Sequence, residues 1–279
     1  MLAAGTFTPM AALNRFRAGE GEPMVLIHGL GSSLEVWSAV RPALERRHDV
    51  LAIDLPSFGN SPPLPGDYTG PALADAVEAE LDAAGFDRPH VVGNSLGGYL
   101  AAELARRGRA RSGVAISPWG LETAKENAYS MASLRALRAS TKALTPQVDT
   151  LARFAPARFF LALQGFGPRG WRLDPDALAH AVRAFASAPG FGPMHDWMTR
   201  NGAEGLEGID CPFLVLWGTW DLLLPVRQAA RWGRLVPDAQ VRKLPRVGHA
   251  PMSEVPERIA PAILDFVASA PRERAAAPA

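Results

Sequence analysis

Three side chains far apart in the chain have the types that split acyl bonds: Ser95 in VVGNSLGGYL, Asp221 in WGTWDLLLP and His249 in LPRVGHAPMSEVPE. A serine hydroxyl is a weak nucleophile at neutral pH, so it needs a base for its proton and donors for the oxyanion that follows attack. An imidazole serves as that base when a carboxylate orients it and stabilises its cation. Gly93-Asn94-Ser95-Leu96-Gly97 fits G-x-S-x-G, in which a sharp strand-to-helix turn exposes the serine hydroxyl and leaves no room for side chains on the flanking glycines. Each residue has an ordinary reading by itself: a serine in a glycine-rich turn, a capping aspartate, a surface-loop histidine. All three, however, follow predicted strands of a parallel sheet, at the carboxyl edge where ligands gather, and in the order Ser, Asp, His.

The loop HGLGSS follows the predicted strand MVLI, and its glycines leave backbone amides accessible. The amides of Leu30 and Leu96 are the candidate oxyanion donors. His28 sits inside that loop and reads as a structural hydrogen-bonding residue rather than a second base. Asp54, at another strand end, reads as a brace for the DLPSFGNS loop. Asn94 beside the nucleophile and Trp119 further on are the candidate substrate-binding residues.

These residues need a scaffold. PMVLIHG, DVLAIDLP, PHVVGNS and SGVAISP have the length and β-branched content of buried strands, and helical patterns such as PALADAVEAELDAAG and LGGYLAAELARRG separate them. The rhythm returns in CPFLVLWG, VRQAARWGRLV, AQVRKL and PERIAPAILDFVAS. It predicts an α/β fold, a mostly parallel central sheet with helices on both faces. Residues 119–208 break the pattern with helical patches only, including DPDALAHAVRAFAS, where Asp174 is a plausible N-cap, Pro175 the first helical residue, and Leu178, Val182 and Phe185 share a face. The expected organisation is a core over 1–118, a helical cap over 119–208, the rest of the core over 209–270 and a frayed tail over 271–279. Phe154, Phe159, Phe160, Phe166, Trp171, Phe185, Phe191 and Trp197 punctuate the insertion; most are expected to build its own small core, a minority to face what lies beneath.

Composition excludes other chemistries. Over 279 residues, 29 Lys and Arg against 28 Asp and Glu leave a formal charge of +1, with no footprint for nucleic acid or anionic lipid. Small molecules are the expected partners, with no nucleic acid and no membrane; the sequence says nothing of oligomeric state. Cys211 is the single cysteine, so neither a disulfide framework nor a thiolate metal site can form, and the residue reads as a small buried apolar one. No H-E-x-x-H, histidine cluster or G-x-x-x-x-G-K occurs, so neither metal nor cofactor is expected. The N-terminal segment lacks the pattern of a secretory leader, and the expected location is cytoplasmic.

With HGLGSS, DLPSFGNS, GNSLGG, WGTWDLLLP and GHAPMSEVPE in this order and spacing, the chain resembles the α/β-hydrolase fold superfamily, in its cap-bearing serine hydrolase branch. The resemblance spans nearly the whole chain. It implies a Ser95-His249-Asp221 triad, a lid formed by the insertion and a pocket beneath it. A serine at the elbow argues against the dehalogenase and epoxide hydrolase relatives, which use aspartate. The leading expectation is hydrolysis of a carboxylic ester of a small to medium apolar substrate. Carbon-carbon bond hydrolases of ring-cleavage diketone acids are the alternative: Asn94 is typical of them, but Ala250 stands where they commonly carry tryptophan. They also hold the substrate carboxylate with a lid arginine, for which Arg135, Arg138, Arg153, Arg158, Arg169, Arg172 and Arg183 are candidates. A third reading is a non-catalytic ligand-binding member of the fold.

Overall fold

The computed structural model describes residues 12–270, so the N-terminal leader reading and the tail 271–279 lie outside the described residues. Among these residues seven strands form one sheet, in the order β1-β3-β2-β4-β5-β6-β7. They are β1 (Arg15–Ala18), β2 (Glu22–Ile27), β3 (His48–Ile53), β4 (His90–Asn94), β5 (Ser112–Ile116), β6 (Phe213–Gly218) and β7 (Gln240–Leu244). β1 runs antiparallel to β3, and every other pairing is parallel. The predicted strands are present; β1 was not foreseen. Its RFRA sequence is too short and too polar to read as a buried strand, and it is a half-exposed edge whose Arg15 and Arg17 pair with Glu80 and Asp49.

Helices cover both faces. In chain order the first are α1 (Arg41–Leu44), α2 (Gly70–Ala84) and α3 (Leu96–Arg106). Period-two alternation sorts each buried strand between two cores. Val25, Ile27, Leu51, Ile53, Val91, Val215 and Trp217 face the layer that holds α2 and α3. Met24, Leu26, Val50, Val92, Val114 and Leu216 face the other, together with Leu44 of α1. Local chemistry fixes the helix ends: Thr69 caps α2 by accepting from Ala72 N, Pro71 opens it, and Gly85 closes it at φ 74°.

Between β5 and β6 lie α4 (Ala124–Leu144), α5 (Val148–Arg153), α6 (Ala155–Ala162), α7 (Pro175–Ser187) and α8 (Phe191–Arg200). A reciprocal capping box between Thr123 and Glu126 starts α4. Asp174 caps α7 by accepting from the amides of Asp176 and Ala177. The aromatics behave differently from expectation. The small core of this region is aliphatic, built from Val148, Ala152, Ala162, Leu178, Ala179 and Val182. Phe191 belongs to the main core and Trp197 packs against it, while Phe154, Phe160 and Trp171 are exposed. Short helices α5 and α6 bring little interior, and aliphatic side chains fill so thin a layer. After β6 come α9 (Ala229–Leu235), α10 (Pro251–Glu254) and α11 (Pro256–Ala268), the last packed on the α1 side of the sheet.

Candidate active site

Ser95 occupies the corner between β4 and α3 at φ 57°, ψ −115°. Such a conformation costs a non-glycine residue about 1 to 3 kcal/mol, so the surroundings must enforce it. They do so through two glycines. A Cβ on Gly93 would overlap the Gly97 carbonyl, and one on Gly97 would overlap the backbone of Ile27 at the end of β2. Ser95 N donates to Ile116 O at 3.0 Å, and Ser95 O accepts from Tyr99 N and Trp119 N. The turn is thus tied to β5 and to its own helix.

His249 lies in the loop after β7, and its Nδ1 is 2.8 Å from Asp221 Oδ2. The Asp221 side chain is fully buried. Its Oδ1 accepts from Leu223 N at 2.9 Å and Leu224 N at 2.8 Å, so the carboxylate is anchored on one side and offers its other oxygen to the imidazole. An acceptor there puts the ring proton on Nδ1 and leaves Nε2 as a base. Ser95 and His249 line the same cavity, with Gly29, Leu30, Asn94 and Ala250.

The HGLGSS loop closes another side. A Cβ on Gly29 would stand 3.0 Å from the Ser95 Cβ, so this backbone runs directly beside the serine. Leu30 lines the cavity. Leu96 is the first residue of α3, where amides have no partner within the helix. His28 is fully buried; its Nε2 accepts from Leu55 N at 2.9 Å and its Nδ1 donates to Gly29 O at 2.7 Å. Both nitrogens are used, and burial lowers its pKa, holding it neutral. It is structural, as is Asp54, which accepts from Leu34 N, Asn60 N and Asn14 Nδ2 and so pins three loops. Cys211 is buried, and burial pushes its thiol up to about 11.

The two sequence candidates for substrate contact fare differently. Asn94 reaches the cavity wall, but its amide donates to Ile116 O at 3.0 Å and His249 O at 3.1 Å. Its Nδ2 therefore ties the histidine loop to the sheet. Trp119 is not in the wall. It is buried beside Tyr99 and Trp197, with ring centroids 5.4 and 5.6 Å away, because the bond to Ser95 O turns it toward α3. The apolar wall comes instead from Leu134 and Leu137 of α4, Leu161 and Phe166 around α6, Val182 and Phe185 of α7, and Leu223. Leu134, Leu137 and Thr141 stand three and four residues apart in SLRALRASTKAL, a helical stripe that could have flagged them.

The cavity measures about 100 Å3. A larger chamber of about 690 Å3 adjoins it, with Ser32, Val36, Phe166 and Ala181 common to both. No arginine or lysine among the described residues lines the smaller cavity. Arg138 donates to Phe185 O and Ala188 O, Arg158 to Trp171 O and Ala152 O, and Arg169 to Arg246 O. Arg135 and Arg183 pair with Asp196 and Asp149. Arg172 borders only the outer chamber. Among the described residues no group of three or more His, Cys, Asp or Glu converges as a metal site, and no helix is long and apolar enough to cross a membrane.

Comparison with known proteins agrees with this architecture. Residues 24–262 match the alpha/beta hydrolase family. A pimeloyl-acyl-carrier-protein methyl ester esterase of Chromobacterium violaceum is 34% identical over 241 residues, 84% of this chain and 89% of the relative. A 2-hydroxy-6-oxo-6-phenylhexa-2,4-dienoate hydrolase of Burkholderia cepacia is 28% identical over 266 residues, 90% of each chain. Among solved structures, a thermophilic esterase from Thermogutta terrifontis superposes with a TM-score of 0.72 at 25% identity, covering 92% of this chain and 93% of that one. The chain belongs to the alpha/beta hydrolase family and is a hydrolase.

Proposed function

We propose that the chain hydrolyses carboxylic esters with a small to medium, largely apolar acyl group, through an acyl-enzyme on Ser95. The observation that carries this is the His249–Asp221 hydrogen bond at a cavity whose wall is mostly apolar and also holds Ser95. Ser95 Oγ attacks the ester carbonyl while His249 Nε2 takes its proton, and Asp221 stabilises the imidazolium. The Leu30 and Leu96 amides bind the oxyanion. Collapse expels the alkoxide, which leaves as the alcohol with the proton from His249. Water then loses a proton to the same nitrogen, attacks the acyl carbon and frees the acid and the serine. In this reading residues 119–208 form the cap over the site.

The cavity beside Ser95, about 100 Å3, continues into the larger chamber, so a short apolar acyl group fits next to the serine and a longer one has room to extend outward. The carbon-carbon hydrolase reading keeps support from the relative in Burkholderia cepacia. It asks for a cation on the substrate carboxylate, however, and the smaller cavity presents none among the described residues. Asn94, its motivating residue, has its amide committed to two carbonyls.

Turnover of p-nitrophenyl butyrate and labelling by a fluorophosphonate probe test the ester reading. Both are expected in the wild type and lost in Ser95→Ala. Full activity in that variant ends the proposal. Labelling without hydrolysis of any ester, but with loss of dienolate absorbance from a ring-cleavage product, transfers it to the carbon-carbon reading. Binding of an apolar ligand without labelling favours the non-catalytic one.

A further inference from the structure

The loop that carries His249 is held from three sides at the residue before it. A Cβ on Gly218, at the end of β6, would overlap the carbonyls of Val247 and Gly248, and one on Gly248 would overlap Phe166 O and the Cα of Gly167. Three glycine backbones therefore stack from the sheet, through the histidine loop, to the segment after α6. Ala250 N also donates to Phe166 O at 3.2 Å. His249 thus sits between two residues that touch the same short segment.

One side chain spans this junction. Glu254, the last residue of α10, is 5% exposed. Its Oε2 accepts from Gly248 N at 2.6 Å and its Oε1 from Arg169 N at 2.8 Å. One carboxylate therefore joins the amide beside His249 to an amide of the insertion. Burial pushes this carboxyl's pKa up, while the two amides it accepts from oppose the shift. An apolar residue at this position would leave the Gly248 and Arg169 amides without these acceptors.

We propose that Glu254 is a positioning residue for His249: its carboxylate latches residues 166–169 to the histidine loop and so holds the imidazole in register with Ser95. This rests on the ester hydrolase reading of Ser95 and His249. The latch needs two acceptors, one for each amide. Glutamine keeps the shape but presents one carbonyl, and its NH2 then meets an N–H that it cannot bond. Alanine removes both acceptors. The latch also ties the wall to the base: Phe166 lines both chambers, and its carbonyl and the following glycine bear directly on the loop.

The test uses Glu254→Gln and Glu254→Ala in the full chain, with steady-state kinetics on p-nitrophenyl butyrate and amide hydrogen exchange, both at a temperature where melting curves show the variants folded. The expected result is a kcat about tenfold lower in Glu254→Gln and lower still in Glu254→Ala, with KM within about twofold. Fluorophosphonate labelling of Ser95 slows in parallel. Hydrogen exchange accelerates together in residues 165–170 and 246–250, as loss of a shared tether requires. A lower melting temperature with unchanged kcat overturns the proposal, since that is what a purely structural residue gives. Acceleration confined to one of the two segments also overturns it. The exchange readout needs no turnover, so failure of the Ser95 reading, seen as an active Ser95→Ala, is distinguishable from failure of the latch.

Discussion

Asp221 gives one oxygen to the amides of Leu223 and Leu224 and the other to His249 Nδ1, 2.8 Å away. The two amides decide which way a replacement amide would lie. In Asp221→Asn the side-chain oxygen stays on Leu223 and Leu224, and the NH2 faces the imidazole. The ring must then accept at Nδ1 and carry its proton on Nε2, where it cannot take one from Ser95. A loss of about 10^4 in kcat with an unchanged fold is expected. Esterase kinetics with a circular dichroism control check it, and a loss below tenfold rules out Asp221 as the orienting acid.

Gly97→Ala tests the elbow. The added methyl would run into the Ile27 carbonyl, which is backbone and cannot swing aside. Strand β2 and helix α3 must then part, in the interior where overpacking costs about 1 to 3 kcal/mol or more. The variant is expected to melt several degrees lower and to lose most activity. A melting curve that superposes on the wild type's shows that the close approach is not enforced.

In the ester reading Phe185 limits the acyl group: it lines the cavity, and its ring lies against the Gly31 backbone and edge-to-face with Phe191 at 5.3 Å. Phe185→Ala is expected to raise kcat/KM for the hexanoate relative to the butyrate ester by about tenfold, the scale of a methylene or two gained in an apolar pocket. An unchanged ratio places the acyl chain elsewhere, in the outer chamber by Leu173 and Leu178.

Glu122 makes a pH prediction. It accepts from Gly120 N at 2.9 Å, and Gly120 O accepts from Ala203 N at 2.8 Å, where the chain leaves β5 and later returns toward β6. Burial, with a smaller push from Glu126, raises its pKa from 4.5 to about 7. A raised acid holds its proton more tightly folded than unfolded, so its contribution to stability is complete below 4.5 and lost as pH rises through about 7. Glu122→Gln should therefore gain stability relative to the wild type between pH 5 and pH 8, by no more than about 3 kcal/mol. Denaturant titrations at the two pH values check it; a constant difference refutes it.

Much of this was legible along the chain, and for definable reasons. Buried parallel strands are written as short β-branched runs, and glycine, proline and capping residues mark their ends, so β2 to β6 could be read without coordinates; β7, a mostly exposed edge, was legible only from its place in the strand-helix alternation. Ser95, Asp221 and His249 could be singled out as candidates because the chemistry open to them is a property of residue type and of position after a strand. β1 escaped because a four-residue antiparallel edge has no buried face to give it a pattern.

What the chain folded back on itself decided is which neighbours those residues have. Of the two candidate substrate residues, Asn94 lies in the cavity wall with its Nδ2 donating to Ile116 O and His249 O, while Trp119 packs beside Tyr99 and Trp197. The wall from Leu134 to Leu223, the arginines drawn away from it and the Glu254 bridge join segments separated by tens of residues. Sequence alone determined the candidate reactive groups and the sheet edge that presents them, because these are encoded by residue type and short-range pattern. Tertiary structure decided the size and polarity of the cavity, because packing between distant segments has no local signature.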